Sequence, residues 1–235
     1  IVVNARTASS RISNKLLRPF GNSNLLNICL EKLSEIDIDA NIYLAVADQP
    51  LIDLYNDKFS NTNIKLWIRD VNAVKKGFSD HRITFEHYLR MPTSFIMSIN
   101  PCLPLLSNKT ILAAISYFFA KKHKTMTSVK KSYNTFLDAD FNVVNGNPKY
   151  VTTSSTDKKP VYELAHAFHF FDKNYFKQTG SFWDWSKDFP AFYEISHLET
   201  VDIDEPLDFL QASSLYNLCK GDVNKLKVIE ESMKE

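Results

Sequence analysis

The chain lacks an excess charge of either sign: 28 Lys and Arg against 27 Asp and Glu leave a formal net charge of +1. No global field therefore draws it to nucleic acid or to an anionic membrane, and any anion binding has to come from a local cluster. Cysteine is scarce. Cys29, Cys102 and Cys219 lie far apart and form no CxxC, which argues against a disulfide framework or a zinc site and for a reducing cytoplasm. The opening Ile1-Val2-Val3 lacks the basic and long apolar regions of a signal peptide. The apolar stretches, such as Ile111 to Ala120, are too short to span a bilayer. Internal repeats and low-complexity tracts are also missing. What is present is apolar mass: 44% of the 235 residues are hydrophobic and 13% aromatic, enough to bury the core of one large domain and too much for a disordered polypeptide.

Strand-like runs at Ile1 to Asn4, Ile42 to Val46, Lys65 to Ile68, Ser94 to Ile99 and Thr125 to Val129 are separated by segments of helical or loop character. Helical spacing places Leu25, Leu26, Cys29, Leu30 and Leu33 on one face, and similar stripes run from Leu51 to Phe59 and from Lys109 to Phe119. This alternation predicts an α/β fold, a mostly parallel sheet flanked by helices. From Thr135 to Lys159 the composition turns to Asp, Asn, Ser, Thr, Gly and Pro, which predicts a β-rich excursion. The chain returns through Tyr162 to Phe171 and Tyr193 to Ile203 before a helix over Leu207 to Cys219.

The loop after the first strand, Ala5 to Lys15, interleaves Arg6, Arg11 and Lys15 with Thr7, Ser9, Ser10 and Ser13. A polyphosphate needs several charge-neutralising donors at close range, and ligands of open α/β sheets bind at the carboxyl ends of strands. An ordinary solvated loop is the alternative. Near the other end, strand alternation in Val201-Asp202-Ile203-Asp204 points both carboxylates to one side, as a hard cation such as Mg²⁺ requires. The competing explanation is a helix start, with Asp204 as cap, Pro206 in the first turn and Asp208 on the dipole. His81, between Asp80 and Arg82, reads more readily as part of a surface ion cluster than as catalytic, because no nucleophile motif accompanies it. His166 and His169 have the spacing of helical metal ligands, but a strand sends them to opposite faces, which argues against zinc. The aromatic run Phe182-Trp183-Asp184-Trp185, with Phe189 and Phe192, suits a sugar ring, packing under a loop or a dimer contact.

Ala5-Arg6-x-Ala8-Ser9-x-Arg11-x-x-x-Lys15, followed by Arg18-Pro19 and a Leu-rich helix, resembles the signature A-R-x-x-S-x-R-x-x-x-K of the cytidylyltransferases that activate Kdo and sialic acids. Ser13-Asn14 stands where the family usually has Pro-Gly, and Asn14 is the residue best able to keep a left-handed turn there. Val201 to Phe209 is similar to the family's I-D-I-D-x-P-x-D-F, and Asn100-Pro101-Cys102-Leu103-Pro104-Leu105 to the sialic acid branch's Q-P-T-S-P-L. Tyr162 to Phe171 aligns loosely with Y-x-E-N-G-A-x-Y of the sugar pocket, with Ala165-His166 replacing Asn-Gly. The resemblance covers roughly the whole chain. It implies a Rossmann-like nucleotidyltransferase that joins CMP from CTP to an acidic 2-keto-3-deoxy sugar and releases pyrophosphate. It further implies Arg11 and Lys15 as catalytic cations, Ala5, Arg6, Ser10, Ser79 and Asn100 as nucleotide contacts, and Asp202 and Asp204 as Mg²⁺ ligands. A homodimer formed through the excursion at 135–159 is implied too. The rival readings are a nucleotide-sugar-dependent glycosyltransferase, whose D-x-D after a middle strand is missing near Asn100, and a degenerate domain that binds nucleotide or a partner without catalysis.

Overall fold

The computed structural model describes residues 1–75, 80–146, 159–183, 191–219 and 221–233. Strand β1 (Val2–Asn4) leads through the hairpin of β2 (Pro19–Phe20) and β3 (Ser23–Asn24) into helix α1 (Leu25–Ser34). Next come β4 (Ile42–Val46), α2 (Gln49–Lys58), β5 (Ile64–Ile68) and the short helices α3 (Val71–Lys75), α4 (His81–Thr84) and α5 (His87–Arg90). Then follow β6 (Phe95–Ile99), α6 (Asn108–Ala120), β7 (Thr125–Ser132), β8 (Val161–Asp172), α7 (Lys173–Thr179) and β9 (Ala191–Glu194). A short 3₁₀ helix (His197–Thr200), α8 (Pro206–Leu218) and α9 (Val223–Ser232) complete the described elements.

Seven strands form one sheet in the order β5-β4-β1-β6-β8-β7-β9. β8 runs antiparallel to both of its neighbours and every other pairing is parallel, so the expected mostly parallel α/β sheet is present. The order reverses beside β1, and the loops after β1 and β6 therefore open at the same edge, where ligands of such sheets bind.

The helices form where apolar stripe and cap agree. Asn24 caps α1 by accepting from the Asn27 N–H at 2.8 Å, and Ser107 caps α6 by accepting from Thr110 at 3.2 Å. Leu25, Leu26, Leu30 and Leu33 are at most 1% exposed, joining Phe118, Phe168 and Phe170 in the larger core on one face of the sheet. The other face buries Tyr43, Tyr88, Met91, Phe171 and Phe176. Each such side chain contributes roughly 1.5–3 kcal/mol of burial free energy.

Two expectations change. The return past Tyr193 is extended only to Glu194 and then curls into the 3₁₀ helix, so the 201–204 segment is irregular rather than a strand end. Of the excursion, an antiparallel bridge between Leu137 and Val143 is present, tied by Asn145, which accepts from the Phe136 N–H at 2.8 Å. Residues 147–158 of it lie outside the described residues. Among the described residues no helix is long and apolar enough to cross a membrane.

Candidate active site

The loop after β1 bends back on itself through Asn14, at φ 51°, a left-handed conformation that Asn adopts more readily than other side chains. The Asn14 carbonyl accepts from the Leu17 and Arg18 N–H groups, both at 2.9 Å, closing the turn that replaces the Pro-Gly of the resembling family. At its near end the loop is held by the Thr7 N–H on the Asp48 carboxylate at 2.7 Å. These restraints bring Arg6, Ser10, Arg11 and Lys15 around a cavity of about 250 Å³, whose wall also holds Asn100, Pro101, Cys102 and Asp204. Residues about 190 positions apart in sequence thus share one site.

Arg11 pairs with Asp204 at 2.7 Å and reaches Glu205 at 3.5 Å. Lys15 meets Asp204 at 3.2 Å and donates to the Ile203 carbonyl. Burial alone would lower the Lys15 ammonium. Its neighbours Cys102 and Asp204 reverse that and leave it above the usual lysine value. The Cys102 thiol is itself pushed up to about 11 by burial and is neutral at pH 7, so the negative charge acting on Lys15 is that of Asp204.

Asp202 lies behind Asn100, which lines the same site. Its Oδ2 accepts from the Asn100 amide at 3.1 Å, while Oδ1 is buried with no hydrogen-bond partner. Burial, with the charge of Asp204 beside it, pushes the Asp202 carboxyl up to about 6. The helix-start explanation also needs correcting. The cap of α8 is Glu205, and Asp208 accepts from the Asp204 and Glu205 N–H groups at 3.1 and 2.7 Å, so the Asp204 carboxylate is free of capping.

Two charged side chains, the half-buried Lys32 and the buried Glu199, hold the loops that carry these groups. Lys32, lowered to about 8 by burial, donates to the Pro104 and Leu106 carbonyls at 2.9 and 2.6 Å and pins the segment after Asn100. Glu199, 1% exposed, accepts from the Ser107 N–H and hydroxyl at 2.9 and 2.6 Å and pairs with Lys227 at 3.1 Å, three residues before Asp202.

Arg6 also lines a second cavity of about 360 Å³, together with Asn4, Ala5, Arg69, Val74, His81, Thr84 and Phe85. Arg69 is 6% exposed, donates to the Thr84 carbonyl at 2.9 Å, lies over the Phe85 ring and has an Nε with no partner. Nothing in the sequence points to Arg69; a lone basic residue just past a strand carries no motif. The same holds for Asn4, which joins Tyr88, Ser98 and His87 in a polar network beneath the two cavities.

Asp80 and Arg82 pair at 2.8 Å as the surface cluster predicts, and His81 stacks on Phe182 with centroids 5.1 Å apart. Ser79 lies outside the described residues, as do Asp184, Trp185 and Phe189. The expectation for the histidine pair is overturned: His166 Nδ1 lies 3.4 Å from His169 Nε2. The cause is a bulge. From Val129 to Thr127 is two steps on β7, but the partners Leu164 and His169 are five steps apart on β8, and His166 sits in the bulge at φ 49°. Among the described residues no group of three or more His, Cys, Asp or Glu could hold a metal.

A cationic loop and two carboxylates thus meet at the carboxyl edge of a mostly parallel sheet, where ligands of such folds bind. The chain belongs to the cytidylyltransferase family, whose model matches residues 1–233. No curated protein matches it in sequence. Its fold is similar to that of CMP:2-keto-3-deoxy-manno-octonic acid synthetase complexed with CTP, at TM-score 0.66 and 10% identity, covering 92% of this chain and 97% of that one. A cytidylyltransferase from Leptospira borgpetersenii serovar Hardjo-bovis gives 0.61 and 14%, covering 99% and 94%. A 4-diphosphocytidyl-2C-methyl-D-erythritol synthase from Anaerococcus prevotii gives 0.59 and 18%, covering 91% and 95%.

Proposed function

We propose that this cytidylyltransferase transfers CMP from CTP to the hydroxyl of an acidic 2-keto-3-deoxy sugar of the sialic acid or Kdo kind, with release of pyrophosphate. The observation that carries the reading is the convergence of Arg11, Lys15 and Asp204 on one cavity at the sheet's carboxyl edge, with Asp202 bonded to the cavity-lining Asn100 behind them. Arg11 and Lys15 hold the triphosphate and stabilise the charge that grows on the leaving pyrophosphate. Ala5, Arg6, Ser10 and Asn100 contact the nucleotide, and the cavity of Arg6, Arg69 and Phe85 offers an aromatic wall and an unpaired donor for its base.

Asp202 and Asp204 are the residues that would hold Mg²⁺. The pair fits a hard divalent cation, because a buried carboxylate oxygen without a partner and a raised carboxyl next to a second carboxylate are both relieved by one. Mg²⁺ held by these residues would supply positive charge against the phosphates. The Arg11 and Lys15 contacts to Asp204 keep these two cations ordered at the mouth of the site. A homodimer through the arm containing Leu137 and Val143 is part of the same proposal. It is supported by the exposure there of Leu137, Phe141 and Val144.

Incubation with CTP, Mg²⁺ and a panel of acid sugars, monitored for pyrophosphate, tests the function. Pyrophosphate release with one of these sugars and none without it is expected. CTP binding with no turnover on any acid sugar would refute the proposal.

A further inference from the structure

The bulge in β8 is a built feature. Ser128, fully buried on β7, accepts from the Ala167 and Phe168 N–H groups at 2.9 and 3.3 Å, satisfying donors that the interrupted ladder leaves over. The consequence is a left-handed backbone at His166, a conformation that L side chains rarely adopt inside a strand. Strain of this kind at an exposed side chain points to a role for that side chain.

Its position is set by the neighbouring strand. The β6–β8 ladder ends at Ile99 opposite Phe168, and the next rung is the Asn100 N–H on the Ala167 carbonyl at 3.0 Å. His166 is one step further along β8 than Ala167, whose rung partner Asn100 lines the cavity of Arg11, Lys15 and Asp204. It is exposed there, while Trp183 packs 4.6 Å from the His169 ring and 6.3 Å from His166.

The hydrogen-bond relay behind it assigns its protons. The Thr127 hydroxyl is buried, and its partner among the described residues is His169 Nδ1 at 2.9 Å, so the hydroxyl has to donate for its proton to be satisfied. Burial holds His169 down to about 3, so this ring is neutral and carries its single proton on Nε2, which points to His166 Nδ1. His166 Nδ1 is therefore an acceptor, and its remaining nitrogen, Nε2, carries a proton and is a donor.

We propose that His166 reads the carboxylate of the acceptor sugar through its Nε2–H, with His169 and Thr127 as positioning residues behind it. The proposal rests on the acid-sugar reading above and names the group on this protein that selects for the acid. Charge-assisted donation to a carboxylate is stronger than donation to a neutral carbonyl or hydroxyl, so such a donor favours the free acid over its ester or its carboxyl-reduced form.

The experiment compares the wild type with His166→Gly and His166→Asn, using the acid sugar that turns over, its methyl ester and its carboxyl-reduced analogue, with pyrophosphate release as readout. Glycine suits the left-handed backbone and asparagine tolerates it, so both variants should fold with an unchanged or higher Tm. The expected result is a KM for the acid sugar raised about ten-fold or more, an unchanged KM for CTP, and loss of most of the preference for acid over ester. Unchanged preference in both folded variants, or an equal rise in the CTP KM, overturns the His166 assignment while the wild-type turnover leaves the function intact. A wild type that turns over no acid sugar overturns both.

Discussion

Replacing Asp202 by Asn should make the protein more stable and inactive at once. The carboxyl of Asp202 is raised from 3.8 to about 6 by burial, with Asp204 adding to it. A carboxyl whose folded value lies above its unfolded value contributes stability that is complete below about pH 4 and is lost as the pH rises through about 6. The wild type therefore carries a penalty at neutral pH that asparagine removes. About 2 units at about 1.4 kcal/mol each give up to roughly 3 kcal/mol. For a protein of this size that is about 2–4 °C of Tm per kcal/mol, a rise of several degrees. The assay is a set of thermal melts at pH 4, 6 and 8 in chelator, where the two proteins should coincide at pH 4 and separate by pH 8. Added Mg²⁺ should then stabilise the wild type, by about 2.7 kcal/mol at a hundredfold excess over its Kd, and leave Asp202→Asn unmoved. A variant that melts no higher than wild type at pH 8 in chelator would refute both the buried-charge argument and the reading of the carboxylate pair as a cation site.

Three other outcomes are expected. Lys15→Ala should lower kcat by roughly 10²–10³-fold, as removal of a charge-stabilising donor does, with little change in the melt; undiminished pyrophosphate release would rule out its role. Glu199→Gln breaks the buried contact to Lys227 and should cost about 3–5 kcal/mol. Hydrogen bonds from Ser107 and its neighbours outweigh burial and hold the Glu199 carboxyl below the ordinary 4.5. Its contribution is therefore present above that value and lost as the pH falls through the folded one, so the gap between wild type and variant in urea titrations should close under acid. Asn14→Gly should be neutral or slightly stabilising and Asn14→Ile should cost about 1–2 kcal/mol, which denaturant midpoints would resolve; equal stability of the two would contradict the left-handed turn.

The local elements and the cationic loop were legible because each depends on signals within a few residues. Leu25 to Leu33 shows its buried face in its spacing, and the Asn14 turn is announced by the residue that tolerates it. The residues proposed to meet the ligand were legible as chemistry, Arg6, Arg11 and Lys15 near the first strand and Asp202 and Asp204 near the last helices. Their meeting depends on a sheet order that places the loops after β1 and β6 together and on Lys32 and Glu199, which hold the segment after β6. Tertiary structure alone decided the rest, because the deciding contacts are between strands. Glu205 took the cap that Asp204 could have taken, Arg69 came over the Phe85 ring from a motifless position, and the Ser128 bulge turned His166 onto the face of His169. Strand periodicity predicts which face a residue takes only while every residue has a partner; one bulge changes the parity, and it is written in the neighbouring strand.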